Sequence, residues 1–173
     1  LGLVAEQVDV ETGDAEVTMH LAIAGGGDSL GSDGALFLAP RVDNLVGCYV
    51  SLEAFVTSQA ASPRLLVLYG HEEIGSLTAA GAQGSLLRSV VDRIARMGGA
   101  DAEAVAVMLE RSRVISNDAA HAFHPSYAEK YDPDYSPSLA GGPVIKMSGT
   151  HRYATTAVTA AEFVAACRDA SVP

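Results

Sequence analysis

The sequence predicts an α/β fold, a mixed central sheet sandwiched by helices. Three observations carry that expectation. The chain has 173 residues, is 49% hydrophobic and has a mean hydropathy of +0.21, which suits a single packed core. Its apolar residues fall into two periods, short extended runs and longer stretches at helical spacing. The two kinds follow one another in the order β-β-α-β-α-α-β-β-α, with neither an internal repeat nor a low-complexity linker.

The elements follow in order. In EVTMHLAI (16–23), Val17, Met19, Leu21 and Ile23 alternate with Thr18, His20 and Ala22, the pattern of a half-buried strand. His20 falls on its polar, solvent side. GGGDSLGSDG (25–34) reads as a flexible connection, because no helix follows it and it lacks a phosphate-cradling GxxxxGK pattern. ALFLA (35–39) is a second short strand, punctuated by Pro40. DNLVGCYVSLEAFVTS (43–58) has an apolar stripe of Leu45, Tyr49, Leu52 and Phe55 at helical spacing.

RLLVLYG (64–70) has no polar alternation at its centre, which suits a central strand covered on both faces. GSLLRSVVDRIARMGG (84–99) is an amphipathic helix closed by glycines, and AEAVAVMLERS (102–112) is a further helix. RVISND (113–118) and GGPVIKMSG (141–149) are strands, and TAAEFVAACRDAS (159–171) is a final helix. The chain lacks an initiator methionine and stops just after that helix, where an α/β domain ordinarily begins another strand. We read both features as the mark of a piece of a longer protein.

Composition narrows the function. The net charge is −10, from 21 acidic and 11 basic residues, which argues against nucleic acid and anionic membranes as partners. No apolar stretch approaches the roughly 18–20 residues of a membrane span, and the N-terminus lacks the basic start and cleavage site of a signal peptide. Cys48 and Cys167 form neither a disulfide framework nor a CxxC site, and they read as buried free thiols in a reducing cytoplasm.

Acidic residues recur at the carboxyl ends of the expected strands, where ligands bind in open α/β sheets. Asp43 follows ALFLAPRV, Glu72 and Glu73 follow LLVLYGH, and Asp118 follows RVISN. A pair of adjacent acids is by itself most often a solvated loop feature. Four carboxylates converging on one rim need counter-charge, and divalent metal ions supply it; a pair of ions needs a bridging carboxylate. Oxygen ligands together with imidazoles suit zinc, manganese or cobalt. Adjacent extended residues point in opposite directions, so Glu72 and Glu73 are expected to do different jobs.

Other chemistry is less well supported. His121 and His124 stand three apart, a spacing that fits one helical face, while Pro125 argues equally for a loop. Ser76, Ser116 and Ser126 lack a GxSxG elbow, which disfavours a serine hydrolase. Lys146, one of only two lysines, sits within the otherwise uncharged PVIKMS; it either lines a pocket or reaches to solvent.

Four segments, APRVDNLVGC, LYGHEEIGS, SNDAAHAFHPSY and GGPVIKMSGTHRYAT, resemble in order and spacing the signature segments of the aspartyl aminopeptidases. These are cytosolic dizinc exopeptidases that remove N-terminal Asp or Glu, and the likeness covers roughly residues 36–173. It implies a dizinc aminopeptidase (phosphorylase/hydrolase-like) catalytic domain, incomplete here. Residues 35–173 would be part of that domain, and residues 1–34 the tail of an inserted dimerisation domain.

By the same resemblance Asp43 bridges two metal ions, zinc by preference. Glu73 binds one ion, Asp118 the other, and Glu72 is the general base that activates the bridging water. Lys146, Tyr153 and His121 face the substrate, Lys146 pairing with its acidic side chain. The Asp43–Asn44 peptide is expected to be cis, and the assembly a homo-dodecamer. The family's two histidine ligands fall outside these 173 residues, and Asn commonly stands where this chain has His71. The runner-up readings are a glutamyl aminopeptidase-like sister family, which shares the DN…EE…D order without the other segments, and an inactive fragment or assembly subunit.

Overall fold

The computed structural model describes residues 24–173, and the expected strand at 16–23, with His20, lies outside the described residues. The protein is a small mixed α/β chain with a two-stranded sheet and four α-helices among the described residues. It divides into two compact units, Leu1–Leu45 and Val46–Pro173.

In the first unit, β1 (Asp28–Leu30) pairs antiparallel with β2 (Leu36–Leu38), with Asp28 opposite Leu38, Ser29 opposite Phe37 and Leu30 opposite Leu36. The glycine-rich stretch expected to be a flexible connection therefore holds a strand and a turn. The reason is local. The Gly34 amide donates to the Gly31 carbonyl at 3.3 Å, which folds DSL back onto the next apolar triplet.

Helix α1 runs Val42–Thr57, but its first turn is interrupted at Asp43 (φ −83°, ψ 113°) and Asn44 (φ −116°, ψ 31°). The Asp43–Asn44 peptide is cis, as the resemblance implies. The helix closes where Thr57 donates its hydroxyl to the Glu53 carbonyl at 2.6 Å.

The second unit carries the other helices. Helix α2 (Leu86–Met97) bears an Asp92–Arg96 pair at 2.8 Å, one turn apart, and stops at Gly98 and Gly99. Helix α3 (Ala102–Arg111) begins where the Asp101 carboxylate accepts from the Ala104 amide at 2.8 Å. These two helices touch, and Val105 of α3 is the one buried apolar side chain among the described residues. Helix α4 (Ala157–Asp169) starts two residues earlier than its apolar pattern suggests. Thr156 and Thr159 each accept the other's backbone amide, at 3.2 and 2.9 Å, a reciprocal cap that fixes the helix start.

Three expected strands are not strands. Residues 64–70, 113–118 and 141–149 carry no ladder in the structure. An apolar run records a tendency toward burial, whereas a strand also needs a neighbouring row of N–H and C=O groups. Among the described residues only β1 and β2 supply one another with such a row. Leu65, Leu68, Val114 and Ile115 are accordingly exposed, as is the α1 stripe of Tyr49, Leu52 and Phe55. Cys48 and Cys167 are free but half-buried rather than buried. No helix among the described residues is long and apolar enough to cross a membrane.

Candidate functional site

Glu72 and Glu73 sit on a single 3₁₀ turn, Glu72–Ile74, rather than at the end of a strand. Two left-handed residues bracket the turn, His71 at φ 61° before it and Gly75 at φ 96° after it. A side chain at Gly75 would be strained in that conformation. The loop bonds to itself throughout. The Gly75 amide donates to Glu72 O and the Ser76 amide to His71 O, each at 2.9 Å, and the Gln83 side chain donates to Gly75 O at 3.0 Å. His71 Nδ1 and Thr78 Oγ1 are 2.6 Å apart. Gly81 packs so closely on the Ser76 backbone that a β-carbon there would overlap it. Both carboxylates are exposed.

Asp118 is held differently. Asn117, beside it, donates from Nδ2 to Gly47 O at 3.2 Å and to Ser51 Oγ at 3.0 Å, which fastens this segment to α1. The Asp118 carboxylate accepts from Lys146 Nζ at 2.6 Å, and the same ammonium donates to Ala119 O at 2.8 Å. Lys146 is therefore neither in solvent nor unpaired; its side chain is 28% exposed, against 40% for Asp118. A few residues before Asp118, Arg113 makes a two-pronged ion pair with Glu162 of α4 at 3.0 and 3.2 Å. Hydrogen bonding to Arg113 and its charge hold the Glu162 carboxyl below the ordinary carboxylate range and raise the guanidinium in turn.

His121 and His124 do not share a helical face. Both precede a 3₁₀ segment that starts at Pro125, and His124 Nδ1 accepts from the Ser126 amide at 3.2 Å, capping it. Phe123 and Tyr131 stack edge to face at 5.4 Å, and Tyr131 donates to Ala122 O at 2.7 Å, which closes the loop after His121. Tyr153 is exposed. Asp43 lies in the first unit, at the cis peptide that heads α1, and is exposed.

Carboxylate oxygens are donors that zinc accepts. Yet among the described residues no three His, Cys, Asp or Glu side chains are grouped to hold a metal ion, and one oxygen of Asp118 is already taken by an ammonium. The described residues, as arranged, do not fit a complete metal shell. Sequence reasoning placed the acids but missed Thr78, Asn117 and the Ala119 carbonyl. The position of Asn117 directly before Asp118 in SND was the available signal, since an amide there can tie an acidic loop to a neighbouring backbone.

Comparison with known proteins identifies the lineage. A family model described as aminopeptidase I zinc metalloprotease (M18) matches residues 1–173. The chain is 41% identical over 133 residues to a "Probable M18 family aminopeptidase 2" of Pseudomonas aeruginosa (strain UCBPP-PA14), covering 77% of this chain and 30% of that protein. It is 38% identical over 144 residues to proteins of the same name from Pseudomonas paraeruginosa (strain DSM 24068 / PA7) and Pseudomonas fluorescens (strain SBW25), covering 83% of this chain and 33% of each. The chain thus spans about a third of the length of the curated relatives it matches. On a match that runs its whole length, the chain belongs to the M18 family of aminopeptidase I zinc metalloproteases.

Proposed function

We propose that the protein is a zinc-dependent aminopeptidase that removes N-terminal Asp or Glu from peptides in the cytoplasm. Membership of a zinc metalloprotease family supports the peptidase and the metal. The observation that carries the acidic preference is Lys146. It lies in an uncharged segment and already holds a carboxylate, at 2.6 Å, which is the group an acidic substrate side chain would present. A chain of charge −10 repels acidic peptides at long range, so selection for them requires a cation at the site itself.

By the family resemblance, Asp43, Glu73 and Asp118 are the carboxylates that would hold divalent ions. Zinc is the preferred ion; manganese and cobalt accept the same donors. When bound, such ions supply Lewis acidity to the scissile carbonyl and lower the pKa of water. The chain's own groups do the rest. Glu72 would take a proton from the attacking water and return it to the leaving amine, from a turn that fixes its carboxylate one residue away from that of Glu73. Lys146 orients the acidic side chain, with Tyr153 and His121 contributing contacts to the substrate. Residues 35–173 form part of the catalytic domain, whose sheet is flanked by helices in the whole protein, and residues 1–34 belong to an inserted dimerisation domain. The assembly is a homo-oligomer, a dodecamer by resemblance.

The test is hydrolysis of Asp- and Leu-anilides by the full-length protein with and without chelator. The expected result is chelator-sensitive turnover that favours Asp. Turnover indifferent to chelator, or equal rates on the two substrates, would overturn the proposal.

A further inference from the structure

Residues 123–137 form a loop whose ends meet. The Phe123 amide donates to Pro137 O at 2.7 Å, and Tyr131 donates its hydroxyl to Ala122 O, also at 2.7 Å. Ala122 O and the Phe123 amide belong to one peptide unit, so the loop holds both polar ends of a single rigid plane. We propose that Tyr131 is a positioning residue for substrate binding: through this plane it fixes the backbone from which His121 presents its imidazole. The inference rests on the reading above that His121 contacts the peptide substrate; the clamp itself stands on the geometry.

Three observations favour this role over mere closure of the loop. The clamp grips the peptide directly after His121, and only the two torsions of Ala122 separate that plane from the His121 carbonyl. On the other side, the Ala119 carbonyl accepts from Lys146 Nζ at 2.8 Å, so Ala120 and His121 are strung between two tied points. Burial divides in the same sense. Ala122, Tyr131, Ser136 and Pro137 are half-buried, whereas His121 is exposed and accessible to a ligand. The loop also braces both members of the clamp. The Tyr131 ring packs edge to face on Phe123 at 5.4 Å, and its amide donates to Ala128 O at 3.2 Å. Just before Pro137, Ser136 donates its hydroxyl to Asp132 O at 2.6 Å, and the Asp134 amide donates to Asp132 Oδ1 at 2.9 Å. Holding a contact group in place beforehand removes part of the ordering cost of binding, so the effect belongs in substrate affinity.

The experiment is steady-state hydrolysis of an Asp-anilide by the full-length protein, with far-ultraviolet circular dichroism as the check on folding. Tyr131→Phe keeps the ring against Phe123 and removes only the hydroxyl. KM is expected to rise about fivefold, the order of one hydrogen bond's net contribution, with kcat within about twofold of wild type. His121→Ala is expected to raise KM by itself. Adding Tyr131→Phe to His121→Ala is expected to raise KM no further, because the group being positioned is gone. A loop that served only the fold would reduce the amount of active enzyme, and so the apparent kcat, without moving KM. Should Tyr131→Phe not fold, Ser136→Ala, which loosens the turn before Pro137, is measured in its place with the same two expectations. An unchanged KM in the folded variant, or a rise that persists in full without His121, overturns the positioning role and leaves the His121 contact standing. If His121→Ala itself leaves KM unchanged, the contact falls and the positioning role falls with it.

Discussion

The Glu72–Glu73 turn and the Asp118–Lys146 pair both present carboxylates, but they are built by opposite means. Around the glutamates every bond that fixes the turn closes within residues 70–84. Gly70 donates to Ala80 O at 3.0 Å, Gln83 to Ser76 O at 3.1 Å, and His71 meets Thr78. Asp118 instead depends on partners far along the chain: Lys146 is 28 residues away, and Gly47 is 70 residues from Asn117. Closing a short loop costs less conformational entropy than closing a long one, so the glutamate turn can form from its own sequence while the Asp118 locus waits for tertiary structure. The glutamate turn is the rigid half of this comparison and the Asp118 locus, which Lys146 reaches from another segment, the adjustable half.

The sharpest way to break this contrast is Glu72→Gln in the full-length protein. Turnover is expected to fall by about 10²–10⁴-fold with the zinc content retained, the loss typical of a removed general base. Loss of the metal instead would reassign Glu72 as a ligand and erase the division between the two glutamates. Gly81→Ala attacks the rigid half through its backbone. A β-carbon would overlap Ser76, and overpacking of this kind costs about 1–3 kcal/mol, read as a lower urea midpoint. A tolerated alanine would mean that the turn is not locked by that close approach.

On the adjustable half, Asn117→Ala removes the bonds to Gly47 O and Ser51 Oγ. The expected cost is about 1–2 kcal/mol, at about 1 kcal/mol for each bond. Thr78→Val takes away the partner of His71 and should cost about 0.5–1.5 kcal/mol, visible in the same unfolding experiment. The smallest effect concerns pH. Arg113 lowers the Glu162 pKa from its ordinary value of 4.5, so the folded state holds the carboxylate ionised more readily than the unfolded state. The pair's contribution is complete above about pH 4.5 and fades as the pH falls through the lowered folded value. Both side chains are exposed, which keeps the contribution slight. Glu162→Gln should flatten the acid limb of a melting-temperature profile below that pH and leave the neutral limb nearly unchanged; an unaltered acid limb would show that the pair contributes nothing to stability.

Helices were legible before any coordinates. The stripes over 43–58, 84–99 and 102–112 fall close to the observed α1, α2 and α3, because helical bonds are local and the apolar period is intrinsic to the element. The sheet was not legible in the same way. RLLVLYG has the composition of a central strand, yet residues 64–70 carry no ladder, while DSL, inside a glycine-rich stretch read as flexible, pairs with LFL. At the site, the acids and Lys146 stood out from position and type. The sequence held no sign that Lys146 would settle on Asp118, because an ion pair needs both groups at one point in space and the intervening residues do not encode that distance.

By itself, then, the sequence determined the family, the helices and the adjacency of Glu72 and Glu73, each a property of contiguous residues or of ordered motifs. Only the tertiary structure decided that His71 and Thr78 brace that turn, that Asn117 fastens the Asp118 segment to α1, and that an ammonium occupies Asp118. The physical reason is range. Backbone hydrogen bonding over a few residues is specified by the residues themselves, whereas the pairing of distant charges depends on how the intervening chain is packed.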